Sequence, residues 1–134
     1  MRAIIAQLSQ SSFMHVVGAF VAMGGWAFFA NSAYEMPKPL FAALLQGGLS
    51  ACITLFLKKT IEAFAARLSG ITALIAPPLA AIAASFILLT TLHTLAGTPE
   101  VFLTIALPFS VANLYAAIYN FSLWKTKGAI NEKR

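Results

Sequence analysis

Long apolar runs broken by short polar segments are the main pattern along the chain. Four apolar blocks cover residues 13–31, 40–57, 71–96 and 101–124. Each is near or above the length of about 20 residues that a helix needs to cross a bilayer. Hydrocarbon offers no hydrogen bonds to the backbone, so a spanning segment is helical unless it belongs to a barrel, whose strands alternate apolar and polar residues. These blocks do not alternate, so we predict an all-α integral membrane protein, one domain of four transmembrane helices.

The breaks between the blocks predict two helical hairpins. The sequence MPKP fills residues 36–39, between the first two blocks, and GTPE fills residues 97–100, between the last two. Proline cannot continue a helix and restricts the residue before it, which favours a tight turn at the first break. At the second break, Gly97 suits the position after a helix end, Thr98 an N-cap and Pro99 the first turn of the next helix.

The cations predict the orientation of the chain in the membrane. Eight of the nine Lys and Arg residues fall on one side of the four predicted spans, namely Arg2, Lys58, Lys59, Arg67, Lys125, Lys127, Lys133 and Arg134, and the other side has Lys38. Lys and Arg are enriched in cytoplasmic loops, so we expect both ends of the chain on the cytoplasmic face of a bacterial-type inner membrane. The first block is too long and too aromatic for a cleaved signal peptide.

Two segments leave alternatives open. Residues 58–69 are amphipathic, with Ile61, Phe64 and Leu68 on one face, and we predict a short cytoplasmic segment between helices 2 and 3 that either extends helix 2 or lies on the membrane surface. Pro77 and Pro78 lie early in the third block. They fit a spanning helix that begins near Pro78 after an interfacial or re-entrant piece over residues 71–76. They fit a continuous, tilted and kinked helix equally well.

Composition supports the membrane class and argues against several functions. Only 10% of the residues are charged, against about 25% in soluble domains. The net charge of +5 comes from cations beside apolar blocks, so membrane lipids rather than nucleic acid are the expected partners. The single cysteine, Cys52, excludes an internal disulfide and a cysteine zinc site, and the chain has no Asp. We therefore expect no enzyme activity, cofactor or metal.

Polar residues inside the apolar blocks are the main candidates for a site. Gln46, Ser50 and Thr54 lie along one face of the second predicted helix, and Asn113 and Asn120 share a face of the fourth. Polar residues at membrane depth commonly mark functional sites. We predict that the five line a polar groove. The alternative is hydrogen bonding between helices, at about 0.6–2 kcal/mol each.

A second candidate is an outer polar cluster of Asn31, Glu35, His93 and Glu100, which should lie at the same level of the membrane. A histidine beside two glutamates would suit a proton relay or a weak metal site, because histidine titrates near neutral pH. The spacing matches no metal motif, and an ordinary interfacial histidine is the alternative.

Small residues recur at four-residue spacing and predict close helix packing, either within the chain or in a homo-oligomer: Gly18 and Ala22; Ala43, Gly47 and Ala51; Ala76, Ala80 and Ala84.

The leading hypothesis is a small non-enzymatic inner-membrane protein that binds or translocates a lipid or lipid-linked molecule. An accessory or assembly subunit of a larger membrane complex is the rival hypothesis. A small ion or solute channel or transporter is the third.

Overall fold

The structure, a computed structural model, describes the backbone of residues 2–133 and the side chains of residues 13–133. It contains four helices, α1 (Arg2–Ala30), α2 (Lys38–Arg67), α3 (Gly70–Leu95) and α4 (Val101–Glu132). The side chain of Arg2 and the whole of Arg134, two of the expected cations, lie outside this described part.

All four helices are long and apolar enough to cross a membrane, as the sequence predicted. The apolar windows of the helices, which include Phe13–Ala30 in α1, are only 17–28% buried inside the protein. Most of the large apolar side chains therefore face outward, which is far more exposed apolar surface than a soluble bundle carries. The surface is that of a helical membrane protein.

The second helix lies at the centre of the bundle. It packs against the other three helices, whereas α1 also touches α4 but makes no contact with α3 among the described residues. The buried apolar cluster is built around α2 and completed by α3 and α4; its members are Ile53, Leu57, Ile61, Ala81, Leu89, Ile105 and Ala116. The first helix is thus held mainly by α2 and has a smaller contact with α4.

Hydrogen bonds define the two ends of the bundle. We call the end that contains the connections at residues 31–37 and 96–100 the loop end. There the Trp26 indole Nε1 donates to the Leu103 carbonyl oxygen at 3.0 Å. The opposite end is called the basic end. There Lys127 Nζ donates to the carbonyl oxygens of Ala65 and Leu68 at 2.8 and 2.9 Å. A cation at this position satisfies the last carbonyls of α2 and suits the helix dipole.

Three helices are longer than the predicted spans, and one of them, α1, begins at Arg2 instead of near residue 13. The amphipathic segment does not form a separate element, because α2 continues to Arg67. No glycine or proline lies between Lys58 and Arg67. Ile61 is buried, and Glu62 accepts a hydrogen bond from the Tyr119 hydroxyl at 2.6 Å. The fourth helix likewise continues past residue 124 to Glu132.

The third helix is continuous through Pro77 and Pro78, so the structure contains the single-helix alternative and no re-entrant piece. A proline has no N–H, so these two leave the carbonyl oxygens of the residues four positions earlier, Ala73 and Leu74, without helix partners. Asn120 Nδ2 of α4 donates to both oxygens, at 3.2 and 2.9 Å. One buried amide thus supplies the two donors that the prolines lack.

The connection between α3 and α4 corrects part of the prediction. Gly97 has a φ of +73°, as expected after a helix end. Its N–H donates to the Thr94 oxygen at 3.1 Å, and the Thr98 N–H donates to the His93 oxygen at 2.9 Å, which forms a Schellman motif. However, Thr98 is not the N-cap of α4. Glu100 takes that position, because the Thr98 side chain turns inward to His93.

Small residues bring α1 and α2 together. A Cβ atom on Gly24 would lie 2.9 Å from the Ala43 carbonyl oxygen, and one on Gly47 would lie 2.9 Å from the Phe20 ring. Ala43 and Gly47 of the predicted small-residue stripe are therefore used within the chain. Gly18, by contrast, faces open space among the described residues.

Candidate functional site

A partly open cleft of about 200 Å³ separates α1 from α4, with α2 as its floor. It is lined by Ala19 and Met23 of α1, by Gln46, Ser50, Ile53 and Thr54 of α2, and by Pro108, Val111, Ala112 and Tyr115 of α4. Three of the five predicted groove residues therefore lie here together. The walls of the cleft are apolar, and its polar groups are concentrated on α2 apart from Tyr115.

The hydroxyl groups on the floor are bonded in a way that leaves their acceptor sites available. Ser50 Oγ donates to the Gln46 carbonyl oxygen at 2.8 Å, and Thr54 Oγ1 donates to the Ser50 carbonyl oxygen at 3.1 Å. Each hydroxyl has one hydrogen to donate and two lone pairs. Ser50 receives a long bond of 3.4 Å from Gln46 Nε2. The Thr54 oxygen keeps its lone pairs for another donor.

A buried chain of side chains connects the cleft floor to the loop end. Gln46 and His93 are both fully buried, and His93 Nε2 lies 2.9 Å from Gln46 Oε1. An amide oxygen only accepts, so this ring nitrogen carries a hydrogen. The other ring nitrogen, Nδ1, lies 2.9 Å from Thr98 Oγ1, which donates to it in the neutral ring. His93 therefore fixes which way the Gln46 amide points.

Tyr115 is the third residue with a side-chain hydroxyl group among those that line the cleft. The other two tyrosines donate to carboxylates, Tyr34 to Glu100 at 2.7 Å and Tyr119 to Glu62 at 2.6 Å. The Tyr115 hydroxyl has no such partner among the described residues, while its ring stacks on the Tyr119 ring at a centroid distance of 5.8 Å. The Tyr115 hydroxyl is therefore uncommitted within the described part of the chain and keeps its hydrogen and its lone pairs for a ligand.

The two predicted groove asparagines do not line the cleft. Asn113 Nδ2 donates to Ser85 Oγ of α3 at 3.0 Å and to the Phe109 carbonyl oxygen at 2.8 Å. Asn120 is occupied by the carbonyl oxygens that the α3 prolines free. The face of α4 that these residues share is turned toward α3, so both amides join helices instead of facing α1.

The predicted outer cluster divides into separate groups. Asn31 is fully buried; its Nδ2 donates to Thr104 Oγ1 at 2.7 Å, and its Oδ1 accepts from the Glu100 N–H at 3.0 Å. His93 belongs instead to the chain with Gln46, because a buried imidazole is satisfied by neutral partners. Glu35 is exposed in the connection between α1 and α2, where its charge remains solvated.

Ser85 and Thr104 were not among the predicted site residues, although both are buried and bonded between helices. The signal that identified the glutamine and asparagines, a polar residue inside an apolar span, applies to them too. Thr90 Oγ1 is the one buried side-chain oxygen or nitrogen without a partner in the part of the chain whose side chains are described. No cluster there suits a metal ion.

A second depression, of about 490 Å³, lies at the basic end between the start of α3 and the end of α4. Lys125 and Lys127 line it, but Lys127 already donates to two carbonyl oxygens of the α2 end. Its charge thus has a structural role in closing the bundle.

No protein-family model matches this chain, and no match is found among curated proteins or among solved structures.

Proposed function

We propose that this protein is a non-enzymatic inner-membrane protein that binds, or helps to translocate, a lipid or lipid-linked molecule in the cleft between α1 and α4. The observation that supports this function is the row of Gln46, Ser50 and Thr54 on the floor of a cleft whose walls are apolar apart from Tyr115. Polar groups at membrane depth are costly when they lack partners. A ligand that donates a hydrogen bond to the Thr54 oxygen would supply the partner that this oxygen lacks on the cleft floor.

The depth of the floor fits a ligand that comes from the bilayer. Thr54 lies inside the apolar span 40–57, one turn before Lys58, and with a rise of 1.5 Å per residue it is about 24 Å from the start of α2. The cleft volume of about 200 Å³ is below the about 300–1,000 Å³ of sites that enclose a drug-sized ligand. It suits one portion of a lipid whose remainder stays in the bilayer.

We further propose that the basic end faces the cytoplasm. The described cations Lys58, Lys59, Arg67, Lys125, Lys127 and Lys133 lie at this end of the helices, whereas Lys38 begins α2 at the loop end. The cytoplasmic leaflet is rich in anionic lipids, which attract such residues. In this orientation the loop-end bonds between α1 and α4 close the cleft toward the outer leaflet.

Filling the cleft tests the proposed function. Val111 and Leu114 are both exposed on α4, but only Val111 lines the cleft. The full chain and its Val111→Trp and Leu114→Trp variants are reconstituted in phosphatidylethanolamine vesicles that also contain phosphatidylglycerol, diacylglycerol and a long-chain prenol. Native mass spectrometry after gentle extraction then measures the total lipid retained. We expect Val111→Trp to lower it several-fold and Leu114→Trp to leave it unchanged.

Equal retention by the two tryptophan variants would contradict the proposed site, provided that both unfold at the same temperature as the parent protein. The same spectra address the rival hypothesis. A different polypeptide bound at fixed stoichiometry to protein extracted from cells, with no retained lipid, would make an accessory subunit the better assignment.

A further inference from the structure

The cleft between α1 and α4 has no charged side chain among its lining residues. A phosphate buried against apolar walls would need a cation or several donors, because an unpaired ion loses its solvation at a cost of several kcal/mol or more. A hydroxyl group needs only one or two hydrogen bonds. The lining therefore selects against an anionic headgroup inside the cleft.

The nearest cation along α2 does not change this conclusion. Lys58 lies one turn beyond Thr54, outside the cleft lining, and its Nζ is 3.9 Å from Glu62 Oε1. Both side chains are about half exposed, with 48% and 46% of their surfaces accessible. The neighbouring carboxylate offsets part of the charge of Lys58, and Lys58 itself is not among the residues that line the cleft.

The available hydrogen-bonding groups complement a hydroxyl group. The Thr54 oxygen, whose hydrogen is already donated to the helix backbone, can only accept from a ligand. The Tyr115 hydroxyl can donate to one. A hydroxyl group on the ligand can donate to the Thr54 oxygen and accept from the Tyr115 hydroxyl. An ester or ketone oxygen only accepts, so it would leave the Thr54 oxygen without a donor.

Together these observations define a ligand class, and the definition rests on the function proposed above. We infer that the cleft binds an uncharged lipid alcohol, with its hydroxyl group between Thr54 and Tyr115 and its hydrocarbon chain along the apolar walls. Diacylglycerol and long-chain prenols share this chemistry, and both can bring a small polar group below the level of the phospholipid headgroups.

The test compares alcohols with their phosphorylated counterparts. Four sets of phosphatidylethanolamine vesicles each contain one probe: diacylglycerol, phosphatidic acid, a long-chain prenol or its monophosphate. The full chain is reconstituted, gently extracted and examined by native mass spectrometry. We expect one or both alcohols to be retained more strongly than the matching phosphate, and the two alcohol arms identify which chain type fits.

Two pairs of variants locate the hydroxyl contacts. Tyr115→Phe and Thr54→Val each remove one contact and should lower alcohol retention about three- to tenfold, the effect of losing one hydrogen bond. Tyr119→Phe and Thr60→Val are the controls, since Tyr119 bonds to Glu62 and Thr60 makes the same backbone bond as Thr54 but lies outside the cleft. The controls should retain the alcohol as the parent does.

The outcomes separate this inference from the proposed function. Preferential retention of either phosphate, or alcohol retention that Tyr115→Phe and Thr54→Val leave unchanged, would overturn the inferred ligand class even if Val111→Trp displaced lipid. If Val111→Trp also leaves lipid retention unchanged, the cleft is not a lipid site.

Discussion

At the residue scale, Asn120 has the most specific structural role in the chain. Its Nδ2 donates to the carbonyl oxygens of Ala73 and Leu74, which Pro77 and Pro78 leave without helix partners. We expect Asn120→Leu to lower the free energy of unfolding by about 1–3 kcal/mol, because two buried oxygens lose their donor. Asn120→Asp, which keeps the size but has no amide hydrogens, should cost at least as much.

A double-mutant cycle checks the cause. With Pro77→Ala and Pro78→Ala together, the restored N–H groups can bond to the two oxygens directly, so Asn120→Leu should then cost about 1 kcal/mol less. Unfolding in mixed micelles, followed by circular dichroism, provides the free energies. The same cost in both backgrounds would mean that Asn120 stabilises the bundle by packing alone.

At the element scale, the contact between α1 and α2 depends on one of two adjacent glycines. A Cβ on Gly24 would meet the backbone oxygen of Ala43 at 2.9 Å, whereas one on Gly25 meets nothing described within 4 Å. Gly24→Ala should therefore force the helices apart and cost about 1–3 kcal/mol. Gly25→Ala should be neutral or stabilise α1 by up to about 1 kcal/mol.

The two glycine variants are each other's control, because they make the same change at neighbouring helix positions. Unfolding free energies in the same mixed micelles distinguish them. Equal destabilisation by both variants would show that helix α1 does not approach α2 through Gly24.

A second prediction at this scale concerns the link between the end of α1 and the start of α4. The hydrogen bond from the Tyr34 hydroxyl to Glu100 raises the pKa of Tyr34 above its ordinary value of 10.0, and the Glu100 charge adds to the effect. A raised folded-state pKa means that the bond contributes fully below pH 10 and is lost as the pH rises through the raised pKa.

Ultraviolet titration of the phenolate tests this link in a background with Tyr115→Phe and Tyr119→Phe, which leaves Tyr34 as the only tyrosine. Glu100→Gln should lower the pKa of Tyr34 toward its ordinary value, because the amide carries no charge. A titration midpoint that does not move would contradict the bond between the two connections.

At the scale of the whole molecule, the four helices could be predicted because each one is determined by its own stretch of sequence. A long apolar run must satisfy its own backbone in lipid, and Gly97 and the prolines near the loop end mark where helices stop. Helix rotation could not be predicted in the same way. In a membrane, residues that face lipid and residues that face other helices are both apolar. The spacing of apolar residues along a helix therefore does not identify its buried face.

That limit explains which of the predicted groove residues lie together in the structure. Gln46, Ser50 and Thr54 share one helix and remain together in the cleft. Asn113 was expected to line the same groove, but the rotation of α4 turns its amide to Ser85 of α3. The pairing of Gln46 with His93, 47 residues away, likewise depends on how two helices dock and has no signal in either local sequence.

The remaining prediction at this scale is the orientation of the bundle. Met36 and Ile130 are 61% and 52% exposed, at the loop end and the basic end respectively. In a Cys52→Ala background, a membrane-impermeant maleimide should label Met36→Cys in intact cells and Ile130→Cys only after the membrane is permeabilised. We expect this pattern because the cations of the basic end resist transfer across the membrane, which would keep that end in the cytoplasm. Labelling of both sites in intact cells would contradict four spans, whereas the reverse pattern would keep the spans and invert the orientation.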